Sequence, residues 1–432
     1  MDEATSGWLP LHTLHRVSLA PTLLSGMSFR WHRVESQPDD AATFVGVLGR
    51  MIVEIRQSVD EALSFRCTPS SAADDARSLL RDHLRLDLPF DASTHAPWLS
   101  SASSAMASDA ACRFGECATH LPGVRVLHIL DAWECLVSFM GSANNNIKRN
   151  MQMVRSLCAA FPGNRLGGSS PEHTGLQYAF PTIAEVASLS EAKLWELGWG
   201  YRAPRLYKLC REVAARGGEG WLDALRHETE ADARRALVGL TGVGRKVADC
   251  ILLFGYGHDA VVPVDTHCFQ LAARLLLPQV QGTALTASTY QTIVEAWHAE
   301  FGTKWTGWAF MQMFVAELAD FRRFPAAPLG VGPSTAPASP RTPKARAPPK
   351  ARAPPKSRAE RSQPREASPQ EASPQEVTPQ EGVRAKACST PRRSRRASVH
   401  EEGCTGSTVA CTVEETPPPG TSQRKRVRAA CL

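Results

Sequence analysis

Residues 240–275 read LTGVGRKVADCILLFGYGHDAVVPVDTHCFQLAARL, and their pattern decides the fold. The stretch spells the end of a helix, a tight glycine turn, a second helix, a loop and a third helix. Gly242 and Gly244 stand where the hydrophobic periodicity breaks. There the backbone is free to turn with positive φ and to leave amide N–H groups unpaired at the start of the next helix. Such a turn is a seat for a phosphate. Lys246 begins the following helix, in which Val247, Ile251 and Phe254 recur at near-helical spacing and carry the lysine on a fixed stem. Nineteen residues further on, Val-Pro-Val-Asp ends at Asp265, directly before the amphipathic run THCFQLAARLL. An Asp in that place is an N-cap, and the orphan amides of the run pin its carboxylate. A pinned carboxylate facing a stem-mounted amine suits a glycosylase with lyase activity. That chemistry needs a nucleophile for the anomeric carbon of a sugar and an anion beside the developing positive charge.

With the hairpin, the lysine and Pro-Val-Asp in register, the stretch resembles the helix-hairpin-helix, Gly/Pro-Asp superfamily of base-excision DNA glycosylases. Lys246 and the VADC that follows it are similar to the 8-oxoguanine DNA glycosylase family. The resemblance covers residues from about 10 to 324 and implies a bifunctional enzyme acting on duplex DNA with a damaged base. Neutral Lys246 attacks the sugar of an extruded nucleotide, expels the base and leaves a Schiff base. β-Elimination then cuts the strand on the three-prime side, while Asp265 stabilises positive charge and helps move protons. Superfamily members without the lysine activate water with the aspartate alone, and Lys246 speaks against that class. Two alternatives to excision of 8-oxoguanine opposite cytosine stay open: a glycosylase of the same superfamily with a different damaged-base preference, because Phe310 stands where the family has its base-reading glutamine, and a DNA-damage-binding scaffold that kept the hairpin, lost the chemistry and binds without releasing a base. No cofactor is required, and a monovalent cation held by the hairpin carbonyls is left open. After Asp265 only Cys268 precedes the tail, so the four-cysteine iron-sulfur cluster of some relatives is not expected.

The fold class expected is α+β. An N-terminal antiparallel β domain with a helix spans residues 10–90, a low-complexity insertion 91–111, a helical glycosylase domain 112–324 with its helix-hairpin-helix at 236–256, and a disordered basic tail 325–432. Between about His12 and Pro69 the runs LHRVSLA, MSFRWHRV, TFVGVLG, RMIVEIRQ and LSFRCT alternate apolar with polar residues, which predicts strands. ADDARSLLRDHLRLDL predicts a helix. DASTHAPWLSSASSAMASDAA is Ser/Ala-rich and reads as a surface insertion. The formal charge of +6 is unevenly placed. From Ala326 onward there are 19 Lys+Arg against 9 Asp+Glu, which leaves 30 basic and 34 acidic residues before it. The body is therefore slightly acidic, and a DNA contact there requires a local basic face.

The other site residues follow from the resemblance, each beside a plainer reading. Gly26, before Met27-Ser28-Phe29-Arg30-Trp31, reads as a hairpin glycine ahead of buried aromatics. In the family its carbonyl accepts the ring N–H that oxidation creates on guanine. Asn144-Asn145-Asn146 reads as a cap and turn, whereas the family pattern Asn-Asn-Asn-Ile-x-x-Arg gives Asn144 and Arg149 to the orphaned cytosine. TIAEVASLSEAKLWELG and YRAPRLYKLCREVAARG read as two amphipathic helices joined at LGWGYR. By resemblance Tyr201 wedges beside that cytosine and Arg202 hydrogen-bonds it. His267 is implied at a phosphate, with Gly242 and Gly244 at the hairpin, and Cys250 and Phe314 on the faces of the extruded base. One position departs from the family. Where Gly-Trp-Ala is followed by a base-reading glutamine, Gly307-Trp308-Ala309 is followed by Phe310, which neither donates nor accepts such bonds. Gln312 lies roughly 200 degrees round a helix from it and does not replace it.

Beyond Phe324 there is no aromatic residue, and ARAPPKARAPPKSR and EASPQEASPQEVTPQE are tandem repeats that bury too little to fold. PRRSRR and RKRVR suit nuclear import or DNA contact. The twelve cysteines show no paired framework and no secretory or membrane-spanning run accompanies them. A monomeric nuclear protein is expected, with a mitochondrial form left open.

Overall fold

The computed structural model describes residues 7–34, 42–90, 98, 108–167 and 178–322. The tail, and the insertion apart from Trp98 and residues 108–111, lie outside them. Strands β1 (Leu9–Pro10), β2 (Trp31–Arg33), β3 (Ala42–Leu48), β4 (Met51–Gln57) and β5 (Leu63–Thr68) form one antiparallel sheet in the order β1-β5-β4-β3-β2. The alternation in the three central strands sets the register, with Val45 opposite Glu54 and Ile55 opposite Phe65.

Two of the expected strands differ. LHRVSLA pairs with nothing in the sheet and runs into the short helix α1 (Leu19–Leu23). Pro21 has no N–H for a ladder, and the side chain of Gln57 supplies the partners instead, donating to the Val17 carbonyl at 2.6 Å and accepting from Leu19 N at 3.2 Å. MSFRWHRV is extended only over Trp31–Arg33. Gly26 has φ +86, so the chain turns after α1 and enters the sheet late. The aromatics in this run are core, as their spacing suggested: Phe29 is 3% and Trp31 0% exposed. Trp31 packs so closely that a Cβ on Gly46 would stand 2.5 Å from its ring.

Helix α2 (Ala73–Leu84) forms as expected and stops where Arg85 turns left-handed at φ +53. On its last turn His83 joins three segments. Its Nε2 faces the Trp31 Nε1–H at 2.9 Å and its Nδ1 the His128 carbonyl at 2.6 Å. Only the neutral ring with its proton on Nδ1 satisfies both. Burial pushes the imidazole down to about 4. The folded state therefore gains from a neutral His83 above its ordinary value near 6.5, and that gain is lost as the pH falls through 4. The expected outcome is roughly 3 kcal/mol of unfolding free energy lost between pH 6.5 and 4. His83→Gln should flatten this part of a urea-denaturation series, and an unchanged slope would contradict the assignment.

The helical part comprises α3 (Asp109–His120), α4 (Ala132–Ser142), α5 (Ile147–Ala159), α6 (Ile183–Ser188), α7 (Glu191–Glu196), α8 (Ala203–Ala215), α9 (Glu219–Ala224), α10 (Glu230–Val238), α11 (Arg245–Cys250), α12 (Thr266–Leu275), α13 (Ala287–Phe301) and α14 (Thr306–Glu317). Helix α3 starts inside the stretch read as insertion because Ser108 caps it, accepting from Ala111 N. TIAEVASLSEAKLWELG is two helices rather than one, since Thr182 and Ser190 each cap a new start. Helix α11 continues as a π-helical turn over Ile251–Gly255. The sheet and the helices share one apolar core, in which Phe29 meets Phe139 of α4 edge-on at 5.6 Å.

Candidate active site

Helix α10, the turn at residues 239–244 and α11 make the helix-hairpin-helix. Gly242 carries φ +84, and a Cβ there would lie 3.2 Å from the Arg205 side chain. Gly244, at φ −89, is simply the N-cap of α11, so positive φ is needed at only one of the two glycines. Glu212 anchors the turn by accepting from Thr241 N at 2.7 Å.

Lys246 is the second residue of α11 and is half-buried. Its Nζ donates to Ser142 Oγ at 3.2 Å and lies 5.5 Å from the centroid of the Phe139 ring. Phe139 in turn stacks on Phe254 at 5.1 Å and 10°. The ammonium stem therefore rests on a rigid aromatic floor that ends in one hydroxyl. Asp265 is the N-cap of α12, as its sequence position requires, with Oδ1 accepting from Cys268 N at 2.9 Å. Among the described residues no donor reaches Oδ2. Cys250, one turn beyond Lys246, is 2% exposed. Burial pushes its thiol up to about 11, against the pull of Lys246 and together with the push of Asp265. Lys246 and Asp265 are both half-buried, and both charges bear on that thiol.

Gly26 stands against the start of α5, where an added Cβ would come within 3.0 Å of Ile147. Its turn therefore adjoins the asparagine run. Two of those asparagines hold the backbone. Asn146 caps α5 by accepting from Arg149 N at 2.8 Å, and Asn145 Nδ2 donates to the Gly141 carbonyl at 3.0 Å. Asn144 is exposed and left-handed at φ +48, so the cap-and-turn reading and a displayed Asn144 hold together. Tyr201 is 44% exposed, with its hydroxyl on the Ala143 carbonyl at 3.0 Å. Arg202, in contrast, is 1% exposed and donates through Nη2 to the carbonyls of Ala143 and, at 3.0 Å, Asn144. Its Nε and Nη1 have no partner among the described residues. Burial and the nearby Arg149 and Arg205 lower its pKa. Arg202 and Arg205 lie over the Tyr201 ring at 4.2 and 5.6 Å, and Arg205 and Arg149 are exposed, so the surface beside Tyr201 is locally basic although the body is acidic.

Phe314 is half-buried and meets the exposed His267 edge-on at 5.6 Å. Phe310 is 3% exposed, packed on Trp297 at 5.5 Å and tilted against Phe314 at 5.8 Å. Gln312 faces elsewhere. Its Nε2 donates to the carbonyls of Cys117 and Leu121 at 3.1 and 2.8 Å, which ties α14 to α3.

Ser142, Phe139 and Arg205 carry no motif, and the sequence singled out none of them. The one available signal was the position of Arg205 three residues after Arg202.

A family model described as the 8-oxoguanine DNA glycosylase N-terminal domain matches residues 11–136, and one for HhH-GPD superfamily base excision DNA repair proteins matches residues 137–297. The N-glycosylase/DNA lyase OGG1 of Arabidopsis thaliana is 34% identical over 319 residues, which cover 73% of this chain and 81% of that protein. The N-glycosylase/DNA lyase of Saccharomyces cerevisiae is 33% identical over 270 residues, covering 59% and 67% respectively. The fold matches that of the Clostridium acetobutylicum 8-oxoguanine glycosylase/lyase. Its apo form gives a TM-score of 0.55 at 21% identity over 72% of this chain and 96% of that one. Its complex with dsDNA containing cytosine opposite 8-oxoG gives 0.54 at 22% over 70% and 91%. By its two matched domains and by its identity to these glycosylase/lyases, the chain belongs to the 8-oxoguanine DNA glycosylase family of helix-hairpin-helix base-excision repair proteins.

Proposed function

We propose that this DNA glycosylase and lyase excises 8-oxoguanine opposite cytosine, with Lys246 as nucleophile and Asp265 as its anionic partner. The reading is carried by Lys246 in the first turn of the hairpin's second helix and Asp265 at the N-cap of α12, in a chain of this glycosylase/lyase family. The neutral amine forms a bond to C1′ as the glycosidic bond breaks, and the base leaves with the electron pair and takes up a proton. Opening of the sugar ring yields the Schiff base. Loss of a proton from C2′ then expels the three-prime phosphate, and hydrolysis returns the amine. Asp265 Oδ2, which no donor among the described residues reaches, faces the cationic sugar in the first step and shuttles protons afterwards. The amine and the carboxylate are the chain's own, so the chemistry requires no cofactor.

In this reading the Gly26 carbonyl accepts the N7–H of the oxidised base. Guanine presents a lone pair there, a difference of about 1–3 kcal/mol. Cys250 and Phe314 face the base, and His267 with the Gly242 turn takes backbone phosphates. Asn144 and Arg149 meet the orphaned cytosine alongside Arg202, whose Nε and Nη1 find no partner among the described residues. Tyr201 is exposed enough to wedge the stack. The basic tail is proposed to serve nuclear import or salt-sensitive DNA attraction.

Phe310 removes the hydrogen-bonding reader of the Watson-Crick edge, so selectivity rests on Gly26 and on stacking. Single-turnover base release from duplexes bearing 8-oxoguanine, formamidopyrimidine, uracil or hypoxanthine is the test. Oxidised purines should lead, and Phe310→Gln should change their order. A preference for uracil or hypoxanthine would refute the proposal.

A further inference from the structure

Tyr290, in the first turn of α13 and 5% exposed, stands between the two segments that carry Lys246 and Asp265. Its hydroxyl donates to Asp249 Oδ2 at 2.6 Å and accepts from Val264 N–H at 2.9 Å. Asp249 follows Lys246 by three residues on α11, and Val264 directly precedes Asp265. The other oxygen of Asp249 accepts from Arg234 Nε at 2.6 Å. The Arg245 guanidinium covers the Tyr290 ring at 4.4 Å and its Nη2 donates to Gln291 Oε1 at 2.6 Å, so the phenol is held from above as well as at its tip. A carboxylate that is 1% exposed is costly unless its lone pairs are matched. Here a guanidinium and a phenol match them. Burial and the neighbouring carboxylate push the phenol far above its ordinary value, so it remains a donor.

We propose that Tyr290 is a positioning residue for base excision: its hydroxyl ties the nucleophile-bearing helix to the backbone immediately before Asp265 and so sets the separation of the two reacting groups. This rests on the roles given above to Lys246 and Asp265. Tyr290→Phe keeps the ring and removes both hydrogen bonds. A displacement of about 1 Å in a reacting group costs on the order of 100-fold in rate.

The experiment is single-turnover base release and borohydride trapping by the full chain on an 8-oxoguanine:cytosine duplex. Rate constants are separated from amplitudes, because the amplitude counts folded enzyme and the rate constant reports its chemistry. His298→Ala is the structural control. It removes the contact of His298 Nε2 with the Ala260 carbonyl at 2.9 Å, which joins the same α13 to the same loop without touching α11. Y290F should slow the rate constant roughly 10- to 100-fold with DNA affinity unchanged, whereas H298A should lower thermal stability and leave the rate constant in place. A Y290F rate constant equal to that of the unaltered chain, or an equal loss in H298A, would overturn the proposal. Lys246→Gln runs alongside: if it keeps the adduct, the nucleophile assignment itself is wrong. If only Y290F behaves as the unaltered chain does, the positioning role alone fails.

Discussion

Lys246→Gln should eliminate the covalent DNA adduct trapped by borohydride and, with it, strand cleavage at the abasic product. Glutamine keeps most of the aliphatic stem, is uncharged and polar, and gives up only the single contacts of Nζ with Ser142 Oγ and the Phe139 ring, so helix α11 has no reason to move. What disappears is the only group at that place able to form a carbon-nitrogen double bond with C1′. The hairpin turn, the basic face around Tyr201 and the base pocket are untouched, so DNA binding should persist within a few-fold of the unaltered chain. Two gels separate the outcomes: a trapped band on denaturing electrophoresis, and a shifted band on native electrophoresis. Undiminished trapping would mean that another amine forms the Schiff base. Base release that continues at full rate without trapping would move the protein to the class that activates water with the aspartate alone.

Asp265→Asn should slow base release while sparing the fold. Asparagine caps helices about as well as aspartate, so the bond from Cys268 N to the side-chain oxygen survives and α12 keeps its start. What is lost is the negative charge shared with Oδ2, which no donor among the described residues reaches. Removing one preorganised electrostatic partner of a developing charge typically costs on the order of 10²–10³-fold in rate. The single-turnover rate constant at saturating enzyme measures it. Binding should be unchanged or slightly tighter, since one carboxylate fewer faces the phosphates. A rate within about threefold of the unaltered chain would place Asp265 among the structural caps and outside the chemistry.

How much of this was legible in the sequence depended on how local the governing physics is. The hairpin and the Asp265 cap follow from rules that act within a few residues, and both are where the sequence put them. The strands TFVGVLG, MIVEIRQ and LSFRCT follow from period-two alternation. LHRVSLA alternates equally well, yet Val17 and Leu19 find their backbone partners on Gln57, about 40 residues away, and Ser18 on Gly123, which no local window contains. The same distance problem hid Ser142, 104 residues from Lys246 in sequence and its hydrogen-bond partner in space. Arg202 sits at a helix start that reads as surface, and its burial arises from the asparagine turn folding over it. Gln312 is the opposite case, since simple helix geometry turns it away from Phe310, and its side chain holds α3. Tyr290 is not legible in the sequence because its hydroxyl joins two distant segments, while its own neighbourhood in the chain carries no motif.

The decisive measurement is peptide mapping of the borohydride-trapped adduct formed by the unaltered chain on an 8-oxoguanine:cytosine duplex. The mass added by the reduced sugar should sit on Lys246. A sugar remnant on any other amine, or vigorous base release with no adduct on any peptide, would contradict the assignment of the nucleophile.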